Sequence, residues 1–270
     1  MQKRPAQITA ACLFLAFSAL PAFAQFADSA ERENRWRALE KTLFDGKTAA
    51  PADGLVTLEA PARAEDAALV PLTVTLKDPE KIKELYVVVD ENPSPVAAHF
   101  IFGPAADPHV VKMRVRINTY TDVHAIAVLR DGALVEDTKY VKASGGCSAP
   151  MGASDEEARK GMGEMRFKIA GAATPGVPAE ATLMLRHPNF NGMQMDEKTR
   201  GYTPARFIDR ISVKAGDQLV FDLSTGISLA TDPVLSFGLI PQKDGHVTVE
   251  AHDSDNTVWR RDFVITGATN

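Results

Sequence analysis

The stretch AIAVLRDGALVEDTKYV, residues 125–141, decides the fold class. Two apolar-rich runs, Ala125 to Leu129 and Leu134 to Val141, flank the tetrapeptide Arg130-Asp131-Gly132-Ala133. An Asp-Gly pair between two such runs favours a β-hairpin, because these residues tolerate the positive φ of a type I′ turn. We therefore predict two antiparallel strands joined by a tight turn.

The segments upstream of this hairpin also have a hydrophobic period of two. Apolar and polar side chains alternate over residues 70–76 and again over residues 111–117. In the second run, Lys112, Arg114 and Arg116 occupy the face that we expect to meet solvent. Several short strands within about 75 residues, separated by turn residues, are typical of a β-sandwich.

A second series of short apolar runs begins after residue 163. Its candidate strands are Met165 to Ile169, Ala181 to Arg186, Ile208 to Val213, Leu219 to Leu223, Val234 to Leu239, Val247 to His252 and Thr257 to Ile265. Near the other end of the chain, Trp36, Leu39 and Leu43 fall at helical spacing, and Gly46 ends that pattern. The sequence therefore predicts an all-β protein with two immunoglobulin-like β-sandwiches in tandem and one short N-terminal helix.

The first 24 residues predict export from the cytoplasm. Lys3 and Arg4 precede an apolar run over residues 8–20, and Ala22-Phe23-Ala24 forms a small-x-small cleavage site. We expect a secretory signal peptide and a periplasmic mature protein. The remaining boundaries that we predict are a helix and linker at 25–54, a sandwich at 55–148, a linker at 149–163 and a second sandwich at 164–270.

The charge balance argues against two classes of partner. Loss of the two cations in the signal peptide takes the formal net charge from −5 to −7. An acidic protein without a basic stripe repels phosphate backbones, so we expect no nucleic-acid partner. No later run approaches the roughly 18 apolar residues that a membrane span needs, so we expect no membrane partner either.

The chain has two cysteines, and only Cys147 lies beyond the predicted signal peptide. Its surroundings, KASGGCSAPMGAS at residues 142–154, are rich in small residues and lack periodic apolar neighbours. We expect an exposed thiol on a mobile loop. Two alternatives stay open: a buried structural cysteine, and a disulfide that links two copies of the protein through Cys147. Because no activating neighbour is visible, we interpret the thiol as an attachment point and not as a catalyst.

Two groups of motifs resemble a known family of sulfur-oxidation proteins. Gly145-Gly146-Cys147 directly after a hairpin resembles the carrier arm of SoxY, and the downstream half resembles its partner SoxZ. The SoxZ-like stretches are Leu185-Arg186-His187-Pro188, Pro204-Ala205-Arg206-Phe207-Ile208, Gly226-Ile227-Ser228, Asp232-Pro233-Val234-Leu235-Ser236-Phe237, and Gly245 followed by a strand that ends near Asp253. The arrangement resembles the fused SoxYZ-like carriers associated with quinoprotein dehydrogenases.

This resemblance implies a non-catalytic carrier without a cofactor. Its two halves would be immunoglobulin-like, and Cys147 would hold a sulfur species such as one derived from thiosulfate. Gly145 and Gly146 would form the flexible carrier arm. The implied partners are periplasmic sulfur-oxidation enzymes and cytochromes, or a quinoprotein dehydrogenase system.

A second interpretation involves metal binding. His187, Met193 and Met195 lie close together in HPNFNGMQM, and imidazole and thioether ligands suit Cu(I). The protein would then be a copper-binding or docking accessory to an electron-transfer system. More ordinary roles for these side chains, in a loop or in the core, are favoured, because their spacing is not distinctive. An enzyme is disfavoured, since the chain has no Cys-x-x-Cys and no Gly-x-Ser-x-Gly.

Overall fold

The computed structural model describes residues 29–150, 154–196 and 199–265. The predicted signal peptide lies outside these residues. Within the described ranges, no helix is long and apolar enough to cross a lipid bilayer. We refer to residues 29–150 as the first half and to residues 154–265 as the second half.

The chain is built almost entirely of short strands. The first half contains helix α1 (Ser29–Leu43), a 3₁₀ turn (Pro79–Lys81) and strands β1 (Ala50–Pro51), β2 (Val56–Glu59), β3 (Val70–Leu76), β4 (Ile82–Val89), β5 (Val96–Phe102), β6 (Ala106–Val115), β7 (Thr121–Leu129) and β8 (Leu134–Val141). The second half contains helix α2 (Asp155–Ala158) and strands β9 (Met165–Ile169), β10 (Ala179–Leu185), β11 (Ile208–Ala215), β12 (Gln218–Thr225), β13 (Val234–Leu239), β14 (His246–Asp253) and β15 (Val258–Val264).

These strands form two sheets that face one another. The larger sheet has nine strands in the order β1-β8-β7-β4-β5-β12-β11-β14-β15, and the smaller has six in the order β2-β3-β6-β13-β10-β9. The apolar side chains of both sheets form one continuous buried cluster between them. The predicted all-β fold with two immunoglobulin-like sandwiches and a short N-terminal helix is confirmed.

The hairpin at residues 125–141 forms as predicted, but its turn differs. Strands β7 and β8 pair antiparallel, and the N–H of Leu129 donates to the carbonyl oxygen of Ala133 at 2.8 Å. Only Gly132 in this turn has a positive φ, of 86°. The predicted type I′ turn is therefore wrong, because a three-residue loop with glycine in the left-handed position closes the hairpin.

The two halves share backbone hydrogen bonds across both sheets. Strand β5 pairs antiparallel with β12, and β6 pairs antiparallel with β13. We call the two strand pairs the seam between the halves. At this seam, the ring of Phe221 packs edge-to-face against that of Phe100, with ring centroids 5.3 Å apart, and against that of Phe237, with centroids 4.8 Å apart. The two sandwiches therefore share both sheets and form one continuous double layer.

Helix α1 packs on the outer face of the nine-stranded sheet. Trp36 lies in a small apolar cluster with residues of β4, β7 and β8, and its ring stacks on His124 with centroids 3.7 Å apart. Nδ1 of His124 lies 3.1 Å from Glu136, and Nε2 lies 3.2 Å from Asp90. Burial alone would lower the pKa of His124, but the hydrogen bonds to Asp90 and Glu136 outweigh it and raise that pKa to about 9.

Candidate functional site

The segment after β8, residues 142–150, is held against the protein. We call it the Cys147 segment. The N–H of Gly145 donates to the carbonyl oxygen of Asn118 at 2.8 Å, and the N–H of Gly146 donates to that of Ile117 at 3.0 Å. Ser148 closes a turn by donating its N–H to Gly145 at 3.1 Å. The segment therefore lies in a docked position along the chain that leaves β6.

Gly146 permits a very close approach in this position. A Cβ atom on Gly146 would lie 2.0 Å from the carbonyl oxygen of Ala67 and 2.6 Å from that of Ile117. No other residue fits without moving backbone atoms. Gly145 has a φ of 79°, in the left-handed region that favours glycine. In the docked position the two glycines therefore serve tight packing, which the sequence analysis did not predict.

The thiol of Cys147 is buried. Its residue is 0 % exposed, although Ser148 and Pro150, which follow it closely, are exposed. The prediction of an exposed thiol on a mobile loop is therefore wrong for this structure. That prediction was made because the residues next to Cys147 in the sequence are small and cannot enclose the sulfur. Residues distant in sequence interact with Cys147 instead: Asn191 binds its backbone carbonyl, and the charge of Arg116 acts on its thiol.

Arg116 is the largest departure from the strand pattern. The period of two places it on the exposed face of β6, but the strand ends at Val115 and Arg116 is only 1 % exposed. Its Nη1 donates to the carbonyl oxygens of Asn189 at 2.7 Å and Leu229 at 2.9 Å. Its Nη2 donates to the hydroxyl of Thr231 at 2.6 Å. The guanidinium of Arg116, a residue of the first half, is therefore hydrogen-bonded to residues of the second half.

Arg116 and Cys147 influence one another electrostatically. Burial raises the pKa of the Cys147 thiol, and the positive charge of Arg116 counters part of that rise. Burial lowers the pKa of Arg116 to about 10, and Cys147 counters part of that fall. Within the described part of the chain, no histidine or carboxylate hydrogen-bonds the sulfur. The docked thiol therefore lacks the partner base that a cysteine nucleophile needs.

A loop of the second half completes the site. The side-chain amide of Asn191 donates to the carbonyl oxygen of Cys147 at 2.6 Å. Two residues earlier, Asn189 lies at a left-handed φ of 46° and its Oδ1 lies 2.8 Å from Nδ1 of His187. The sequence analysis did not predict roles for Arg116 and Asn191 at this site. Its signals for the loop were the SoxZ-like stretch at residues 185–188 and the candidate copper ligands at residues 187–195.

An open cavity adjoins the Cys147 segment. It has a volume of about 440 Å³, and its lining includes Arg116, Arg114, Gln194, and the two residues Ala149 and Pro150 of the segment. The buried cysteine therefore sits beside a space that reaches solvent, on the seam between the two halves.

The residues of the copper interpretation have unlike surroundings. His187 is 0 % exposed, and its Nδ1 is engaged by Asn189. Met195 is 43 % exposed and pairs through its backbone with Tyr202, and Met193 is half-buried. No cluster of three histidine, cysteine, aspartate or glutamate residues suited to a metal occurs within the described ranges. Copper binding is not favoured.

Two family models match the chain in tandem. The model for the sulfur oxidation protein SoxY matches residues 40–147, and the model for the sulphur oxidation protein SoxZ matches residues 165–264. The SoxY match thus ends on Cys147, and the SoxZ match covers β9 to β15. A SoxY domain followed by a SoxZ domain on one chain defines a sulfur-oxidation carrier class of protein. The chain belongs to the fused SoxYZ-like family.

Solved structures with similar folds are more distant. The sulfur carrier protein SoxY from Chlorobium limicola f thiosulfatophilum is 23 % identical, with a TM-score of 0.37, and the match covers 42 % of this chain and 96 % of that one. A β-glycosidase from Bacteroides vulgatus is 7 % identical, with a TM-score of 0.25, over 78 % of this chain and 24 % of that one. These scores are low and carry no argument about function. No curated protein is similar enough to count as a match.

Proposed function

We propose that this protein is a periplasmic, non-catalytic carrier that binds a small sulfur intermediate covalently on Cys147 and presents it to partner enzymes. One observation carries the proposal. The SoxY family match ends on Cys147, which is the one cysteine of the sequence beyond the predicted signal peptide. We favour thiosulfate-derived sulfur as the cargo. The partners would be sulfur-oxidation enzymes and cytochromes, or a quinoprotein dehydrogenase system.

The buried thiol requires that the Cys147 segment leave its docked position during loading. Three hydrogen bonds hold its residues 145–147 there, from Gly145, from Gly146 and to the carbonyl of Cys147. At about 0.5 to 1.5 kcal/mol each, their loss costs roughly 1.5 to 4.5 kcal/mol. A released form at that cost is a minor species of about 0.05 to 10 %. Such a population is large enough to be captured by a partner protein.

The two positions of the segment would give the thiol different reactivity. In the docked position, burial raises the pKa of Cys147 and keeps the thiolate scarce. In the released position, the pKa would return to about 8.5, the ordinary value for cysteine. Loading and unloading would therefore occur in the released form, and docking would protect the carried group. A disulfide between two copies through Cys147 would need the same release.

Intact-mass spectrometry of the protein purified from its native periplasm tests the proposal. We expect a fraction of molecules to carry added mass on Cys147 that a reductant removes, and Cys147→Ser to abolish both the adduct and the pathway. The double variant Cys147→Ser/Ser148→Cys is the matched control, because it keeps one thiol but moves it to the exposed neighbouring position. Wild-type protein without any adduct, together with an unaffected pathway in Cys147→Ser, would refute the carrier function.

A further inference from the structure

Among residues 29–150, 154–196 and 199–265, the buried guanidinium of Arg116 has no negatively charged hydrogen-bond partner. Its hydrogen-bond acceptors are three backbone carbonyl oxygens and the hydroxyl of Thr231, all of them neutral. Its Nε is buried and has no hydrogen-bond partner. A buried charge is costly unless an opposite charge accompanies it, and an unsatisfied buried donor adds to that cost. An anion bound beside this guanidinium would offset part of that cost.

The position of Arg116 relates this site to the cysteine. Arg116 lines the cavity into which Ala149 and Pro150 also project, directly beyond Cys147 in the chain. A second guanidinium, that of Arg114, lines the same cavity and is exposed. The positive charge of Arg116 also acts on the thiol of Cys147, so the cation and the sulfur lie in the same part of the protein.

Two aspartates also line the cavity, but both have other partners. Asp66 accepts the N–H of Ala68 at 2.8 Å. Asp232 accepts the N–H of His187 at 2.9 Å and lies 3.5 Å from Arg186. Neither carboxylate hydrogen-bonds Arg116, so these two aspartates do not neutralise its charge by direct pairing.

We propose that Arg116, assisted by Arg114, binds the far end of the group carried on Cys147 where that end is anionic. This inference rests on the proposed carrier function. Arg116 is then a positioning residue: it recognises the far end of the adduct and holds the loaded segment in its docked position. A neutral adduct of similar length would not form this interaction with the guanidinium, so it would not stabilise the docked position.

Two reagents load Cys147 with adducts that differ in terminal charge. With tetrathionate, a new sulfur–sulfur bond forms on Cys147, the central bond of tetrathionate breaks, thiosulfate leaves with the electron pair, and the thiol proton goes to water. The product ends in a sulfonate. With methyl methanethiosulfonate, the thiol gains a neutral methylthio group, and methanesulfinate leaves with the electron pair. Each reagent is itself the oxidant of the thiol.

The measurement is the rate at which a neutral phosphine releases each adduct from the full chain. The same two adducts on the exposed thiol of Cys147→Ser/Ser148→Cys give the intrinsic ratio of the two rates. Relative to that ratio, we expect release of the sulfonate-terminated adduct from Cys147 to be about 10-fold slower or more, the range of a charge-assisted hydrogen bond. Arg116→Lys and Arg114→Gln should each reduce this protection, and Arg210→Gln on β11 should leave it unchanged.

The outcomes separate the inference from the proposed function. Equal protection of both adducts in the wild-type protein would overturn the anion site alone, as would protection that survives both Arg114→Gln and Arg116→Lys. Failure of both reagents to modify Cys147, while they label the Ser148→Cys thiol, would overturn the carrier function and the anion site together. Arg114 is exposed, so its variant keeps the test decisive even where substitution of the buried Arg116 prevents folding.

Discussion

The side chain of Asn191 binds the backbone of Cys147, 44 positions earlier in the chain, through a hydrogen bond of 2.6 Å from Nδ2 to the carbonyl oxygen. The bond joins the second half of the protein to the cysteine of the first half. The same side chain also organises its own loop, because its Oδ1 accepts the N–H of Met193 at 2.9 Å. Asn191 therefore couples the loop at residues 187–194 to the docked position of the Cys147 segment.

Asn191→Asp should speed the modification of Cys147. The carboxylate keeps the acceptor for Met193 but removes the donor and faces the carbonyl oxygen of Cys147 with a negative charge. Loss of the bond should favour release by about 1 to 2 kcal/mol, which raises the labelling rate by a neutral alkylating reagent roughly 5- to 30-fold. Asn256→Asp, in the β14–β15 turn, is the matched control and should not change the rate. Equal rates for wild type and Asn191→Asp would refute the coupling.

Gly146→Ala should release the segment without unfolding the protein. The added methyl group cannot coexist with the carbonyl oxygen of Ala67 at 2.0 Å, so the segment must move away. We expect Cys147 to react as an exposed thiol. The melting temperature should fall by about 3 to 15 °C because the docking bonds are lost, but unfolding should stay cooperative because the sheets are untouched. Gly201→Ala is a suitable control, since the nearest atom to its new Cβ would be 3.6 Å away. A thiol that stays protected in Gly146→Ala would contradict this geometry.

His124 should make the stability of the protein depend on alkaline pH. Its pKa in the folded state, about 9, is above the ordinary value of about 6.5, so the protonated ring stabilises the fold. This contribution is fully present below about pH 6.5 and is lost as pH rises through about 9, with a total of about 3 kcal/mol at most.

Urea unfolding between pH 6 and 10 measures this loss. The background should be Cys147→Ser, because burial raises the pKa of this thiol above its value in the unfolded chain, about 8.5, and would add a second pH dependence. We expect His124→Gln to flatten the decline in the free energy of unfolding, whereas His246→Gln, at an exposed position, should keep it. An equally steep decline in His124→Gln would exclude the role of this ring.

The shared sheets predict that the two halves unfold together. The sequence has two tryptophans, Trp36 in the first half and Trp259 in the second, so single-tryptophan variants report on each half. We expect coincident urea transitions for Trp36→Phe and Trp259→Phe. Adding Phe237→Ala at the seam should lower the free energy of unfolding in both single-tryptophan variants by about 3 to 5 kcal/mol. A shift seen only by Trp259 would mean that the halves unfold independently.

Local patterns predicted most of the strands. Alternation over residues 70–76 matches β3, whose apolar side chains are buried, and Met165–Ile169 and Val234–Leu239 are β9 and β13 as the sequence analysis placed them. Such patterns are local, because alternate residues of a strand point to one face. The pairing of β5 with β12 has no local signal, since it depends on residues more than 100 positions apart. The domain boundaries stay predictions.

The site was predictable only in part for the same reason. Cys147 stood out because it is the one cysteine beyond the predicted signal peptide, and the resemblance to SoxY assigned it a role that remains a proposal. Its burial could not be predicted, because Arg116 leaves the period of two where β6 ends and Asn191 belongs to a loop without a secondary-structure pattern. Small residues around a thiol do not by themselves indicate exposure, since Gly146 is small in order to fit.

Because both halves belong to one chain, the site at the seam does not depend on protein concentration. A binding site assembled from two separate polypeptides is lost when their concentration falls below the dissociation constant. Here Arg116 and Asn191 reach the cysteine from elements of one polypeptide, so their effective concentration is fixed by covalent connection. The site therefore persists in a single isolated molecule, however sparse the protein is in its compartment.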